Sequence, residues 1–230
     1  MLTLLGLITF FQLTTQQPWL APIPDSQIVS TSVPAANPER LLAQASLDLS
    51  HRWPQAEINQ GFTDNILLSL HYLKDSADKN SQDVDWEKVR QDFEISFELA
   101  PGEIFAFHKN VLPEYKGKNL KTMGSEFVTN QGYKYIGGLG GNGVCHLASL
   151  MNWVASEAGL QVEAPTRHNF ATIAGVPKEY WTSIRYQENG GNSQNQNLYI
   201  VNNFDFPVEF RFEKKGQELS LKIYNLLRLH

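Results

Sequence analysis

Hydrophobic positions change period several times along this chain, and the changes divide it into segments. Asn37-Pro38 has the form of a helix cap followed by a first-turn proline, and Leu41, Leu42, Ala45 and Leu49 recur at helical spacing. That spacing predicts a first helix through the forties. Pro54 closes the next segment. Thr63-Asp64 opens a stronger helix with Ile66, Leu67, Leu70 and Leu73 on its apolar face. Asp75 to Asp85 is polar and reads as a solvated loop, and a short helical turn follows at Trp86 to Arg90. The period then drops to two: Phe93, Ile95, Phe97 and Leu99 alternate with Asp92, Glu94, Ser96 and Glu98, which predicts a half-buried strand. Pro101-Gly102 is a turn signal, and the apolar run Ile104 to Phe107 after it suits a hairpin partner.

A glycine-rich run, Gly137 to Gly143, leads into Val144-Cys145-His146-Leu147. Leu147, Leu150, Met151, Val154 and Ala158 then form one apolar stripe, and Gly159 stands where a left-handed cap belongs, so a helix begins near Gly143 and ends at Gly159. Beyond it, alternation returns at Leu160, Val162 and Ala164, at Tyr199 and Val201, at Val208, Phe210 and Phe212, and at Leu219, Leu221 and Ile223. Gly190 to Asn197 is a polar Gly/Asn/Gln/Ser connector that reads as a surface loop, and no internal repeat is present. The pattern describes an α+β fold with N-terminal helices, a central helix led by a glycine loop, and a mainly antiparallel sheet.

Composition narrows the class. With 230 residues, 42% of them hydrophobic, the chain can bury one substantial core. Residues 1–37 read as a signal- or anchor-like segment with a linker, because apolar Leu2 to Leu13 precedes the polar, proline-punctuated stretch Thr14 to Pro38. Residues 38–230 read as a single domain. Export, or membrane association through the N-terminus, is the expectation. The net charge of -5 and the absence of a basic cluster argue against nucleic acid as a partner.

Candidate chemistry centres on Cys145, the single cysteine, which cannot form an intramolecular disulfide. In the first turn of a helix the dipole and unpaired N–H groups favour a thiolate and can later hold an oxyanion. His168 follows after one helix and one short strand, an order found in papain-like and transglutaminase-like enzymes, so it is the candidate base. Asn202 and Asn203 end a predicted strand and are the candidate orienting groups, with Glu179 and Asp205 as further possibilities. The alternative is packing, since a lone cysteine beside apolar residues often fills a core. The glycine run lacks the Lys-Ser/Thr ending of a phosphate loop, which argues against a nucleotide, and Cys145, His146 and His168 lack a metal-ligand spacing. No cofactor is expected.

Pro101-Gly102-Glu103-Ile104-Phe105-Ala106-Phe107 and Gly141-Asn142-Gly143-Val144-Cys145-His146 together resemble the VanW family. Asn65, Arg167-His168-Asn169 and Asn202-Asn203 extend the resemblance over roughly Phe62 to Phe212, with Asn142 in place of a glycine and His146 in place of a glutamine. It implies a cell-envelope setting, extracytoplasmic or membrane-anchored, with cell-wall peptide or glycan as partner. Two functions follow. In the first, Cys145 and His168 cleave or transfer peptide or amide bonds, with Gly141, Gly143, His146, Arg167, Asn169 and Trp181 binding the substrate. In the second, the domain binds without catalysis, through the glycine loop and Tyr133, Tyr135, Trp153 and Trp181.

Overall fold

A computed structural model of the chain describes residues 39–75, 82–136, 139–140, 142–188 and 191–226, with only the backbone described at 139–140. The N-terminal segment, most of the Asp75–Asp85 loop, and Gly137, Gly138 and Gly141 lie outside the described residues. In chain order the elements are β1 (Glu39–Asp48), α1 (Ala56–Leu73), α2 (Trp86–Val89), β2 (Phe93–Leu99), β3 (Ile104–Ala106), β4 (Leu120–Thr122), β5 (Tyr135–Ile136) and β6 (Leu139–Gly140). They continue through α3 (Val144–Glu157), β7 (Gln161–Glu163), β8 (Tyr199–Val201), β9 (Val208–Lys215) and β10 (Glu218–Leu226).

The larger sheet has the order β1-β10-β9-β2, antiparallel throughout. Its inner face carries Leu47, Leu219, Leu221, Ile223, Phe210, Phe212, Ile95 and Leu99, all buried. Cross-strand Phe97 and Phe210 stack with centroids 4.7 Å apart, an arrangement that adds to area burial. Glu94 and Glu98 of β2, Glu209, Arg211 and Glu213 of β9 and Lys222 of β10 take the other face, while Lys214 is buried in phase with the apolar positions. α3 packs against β1 and β10, and α1 against α3. The main core is this packing of helix on sheet, and a smaller cluster gathers Ile104, Ala106, Val111, Tyr115 and Tyr199.

Residues 39–48, expected to be helical, form β1 instead. The apolar positions satisfy both periods: Ala43, Ala45 and Leu47 also alternate, and they sit opposite Ile223, Leu221 and Leu219 of β10. A register shift between Leu41 and Ala43 absorbs the extra residue that makes the spacing look helical. Pairing with a distant strand overrides the local pattern. α1 begins seven residues before Thr63, and Thr63 and Asp64 are buried inside it.

β3 is not the hairpin partner of β2. It pairs parallel with β4 and antiparallel with β8, in a second sheet of order β4-β3-β8-β7. The Pro101-Gly102 turn carries the chain from one sheet to the other, and Asn202 holds that corner. Its Nδ2 donates to the carbonyls of Leu99 and Phe206, both at 2.9 Å, and its backbone N–H bonds Glu103 O at 3.0 Å. The polar connector before β8 is not wholly surface, because Asn197 is fully buried and bonds the backbone N–H groups of Phe107 and His108. No helix among the described residues is long and apolar enough to cross a membrane.

Candidate functional site

The glycine-led turn is set against α1 by Asn65, a fully buried side chain. Its Nδ2 donates to the carbonyls of Lys134 and Asn142, and its Oδ1 accepts from the Lys134 N–H. Gly143 has a φ of 99°, and a Cβ there would lie 2.4 Å from the carbonyl oxygen of Phe62. Glycine is therefore required twice over, by conformation and by close approach. α3 then runs from Val144 to a Gly159 cap, where the Leu160 N–H bonds Ala155 O and the Gly159 N–H bonds Ser156 O.

Cys145 sits in the first turn of α3, as the apolar stripe predicts. Among the described residues the hydrogen bonds of its thiol run to one residue: the Ile184 N–H donates to Sγ at 3.3 Å, and Sγ–H reaches the Ile184 carbonyl at 3.7 Å. The same face of α3 continues this contact downward. Ser149 Oγ accepts from the Thr182 N–H, and Asn152 Nδ2 donates to Tyr180 O and Thr182 Oγ1. Cys145, Ser149 and Asn152 thus form a polar ladder that fastens the segment 180–184 along the helix. Their i, i+4, i+7 spacing is visible in the sequence as a stripe beside the apolar one.

The thiol is pushed up to about 11, because desolvation outweighs the bond from the Ile184 N–H. That is opposite in direction to the lowered pKa expected from the helix dipole. His168 is buried, and its Nδ1 lies 3.1 Å from Ala171 O. No hydrogen bond joins it to Cys145 among the described residues. Its ring instead faces His146 edge-on at 6.3 Å and lies 3.9 Å from Phe170. Asn202 is committed to the sheet corner, while Asn203 Oδ1 accepts from the Gln161 N–H at 2.8 Å. Arg167 is bridged to Thr182, and Trp181 Nε1 donates to Val176 O. Asn169 is exposed on the same loop. Of the four aromatics grouped in the sequence, Tyr133 is buried against Tyr72, Tyr135 is 61% exposed, and Trp153 stacks on Tyr180. They do not share one surface.

To His146 and His168 the geometry adds aromatic residues that the sequence left unremarked. Trp53, Phe62, His146, His168 and Phe170 make a continuous row of rings. His146 is buried, its Nδ1 has no hydrogen-bond partner, and desolvation holds its pKa at about 3, helped by the charge of Arg52. Beside the row opens a groove of about 390 Å³, lined by His51, Arg52, Trp53 and Pro54 on one wall and Ala171, Thr172 and Ala174 on the other. Phe170, at the same loop, is 71% exposed. Of this lining only Pro54 was marked in the sequence, as the close of a segment, because the two walls come from segments more than a hundred residues apart. Among the described residues, no three His, Cys, Asp or Glu side chains converge on a metal-sized site.

An α+β domain whose glycine-led helix is clamped to a second helix, and whose first turn abuts a histidine–aromatic row and an open groove, defines the class. The family described as VanW like protein matches residues 95–224, more than half of the chain, and this chain belongs to it. No curated protein and no solved structure matches the chain.

Proposed function

We propose that this VanW-like protein works in the cell envelope as a binding domain for cell-wall peptide or glycan, using the groove between Arg52–Pro54 and Ala171–Ala174. The observation that supports it is the groove itself: largely apolar walls, with an indole, an exposed Phe170 and a few polar groups at its margin. Concave, mostly apolar sites with few polar groups suit small ligands, and about 390 Å³ falls within the ~300–1,000 Å³ usual for them. Sedimentation with purified peptidoglycan tests this reading. The native protein should co-sediment, and Thr172→Trp, which fills the groove, should stay in solution; equal sedimentation of the two overturns it.

A second reading is a thiol enzyme of peptide or amide bonds, with Cys145 as nucleophile and His168 or His146 as base. It is favoured by the half-buried cysteine in the first turn of α3, followed directly by His146, whose ring faces His168. Alkylation separates the two. A neutral thiol held at about 11 should resist iodoacetamide at pH 7.5 until urea unfolds the protein. Rapid labelling at pH 7.5, slowed by His168→Ala, would establish the enzyme in place of the binding domain.

A further inference from the structure

The groove holds a charged group with unused bonding capacity. Arg52 is 3% exposed, yet among the described residues no carboxylate is bonded to it. Its Nε donates to the backbone carbonyl of Asp48 at 2.7 Å, while Nη1 is buried without a hydrogen-bond partner. Asp48, whose charge acts on Arg52, is already engaged elsewhere. Asp48 Oδ1 accepts from the N–H and hydroxyl of Ser50, and Oδ2 lies 2.7 Å from His51 Nδ1. A guanidinium stays charged even when buried, and a buried charge without a partner is among the least stable arrangements in a protein.

Arg52 is also placed to meet a ligand. It lines the groove together with Trp53, Pro54, Ala171 and Ala174. The position that a Cβ would take on Gly175 is 3.8 Å from Nη2, so the far edge of the guanidinium reaches the opposite wall. We infer that the groove receives a carboxylate on Arg52, presented by a small molecule with a short apolar flank, as at the free C-terminus of a peptide of small residues. The planar fork of Nη1 and Nη2 matches the two oxygens of a carboxylate. The apolar walls accommodate methyl-sized side chains behind it, and the volume limits the ligand to a few residues. This inference rests on the reading of the groove as a binding site and adds the chemistry of what binds there.

The full-length protein titrated with N-acetyl-alanyl-alanine, followed by calorimetry or amide chemical shifts, tests it. The acid should bind, and its C-terminal amide should bind at least 10-fold more weakly. Arg52→Met should reduce binding of the acid to the level of the amide, with far-UV circular dichroism verifying the fold. Because Arg52 also bonds Asp48 O, Ala174→Phe serves as a second variant that leaves the guanidinium in place and should abolish binding. Inorganic phosphate and acetate separate a peptide terminus from a general anion, and neither should compete below a 10-fold excess. Equal binding of acid and amide, full binding by either variant, or displacement by phosphate at equal concentration overturns the inference. Peptidoglycan sedimentation distinguishes the failures: if it persists while the dipeptide acid does not bind, the groove binds cell wall by other groups, and if both are absent the binding reading falls as well.

Discussion

At His146 the cost of an unpartnered buried imidazole becomes measurable. Folded, the ring stays neutral down to about pH 3; unfolded, it takes a proton below its ordinary value near 6.5. Between those limits the unfolded state binds the extra proton, so stability is fully present above pH 6.5 and is lost as pH falls toward 3. His146→Gln should therefore flatten the fall in urea midpoint between pH 6.5 and 4.5, by a difference on the order of 1–3 kcal/mol at the lower limit. His71, His108 and His168 are shifted downward by burial too, which leaves a smaller slope of the same sign. An unchanged slope in the variant would show that His146 is hydrated. Cys145 gives the complementary lesson about what a sequence reveals. Its place in the first turn followed from local glycine and apolar spacing. Its partner, the Ile184 backbone, comes from a distant segment with no regular period, so the sign of its pKa shift was not legible.

Among the elements, β2, β9, β10 and α3 were legible because each carries one unambiguous period, while β1 was not because its residues satisfy two. β3 was recognised as an apolar run but given the wrong neighbour: short strands carry no mark of which sheet they join. The corner that decides it belongs to Asn202, a residue the sequence offered for catalysis. Asn202→Ala removes two donors from the Leu99 and Phe206 carbonyls and strips the acceptor of the Phe204 N–H. Leaving such groups buried and unpaired costs about 1–3 kcal/mol each before relaxation. We expect a loss of about 2–4 kcal/mol in urea unfolding. A variant within 0.5 kcal/mol of the native protein, roughly the effect of an ordinary surface substitution, would show that the corner is held by the backbone alone.

On the scale of the whole molecule, the family match from 95 to 224 omits β1, α1 and the Arg52 wall of the groove, although α3 packs on both β1 and α1. A chain beginning at Leu49 should fail to unfold cooperatively in urea, because Leu219, Leu221 and Ile223 lose their cross-strand cover from β1. A sharp two-state transition in that truncated chain would show β1 to be dispensable. The pairing of Glu39 with Leu226 also joins the two extremes of the described chain. Among the described elements β1 is synthesised before all the others, and the strand it pairs with there, β10, after them. At roughly 5–20 residues per second, nascent β1 waits on the order of 10–40 s with an open edge before translation supplies the strand that closes it.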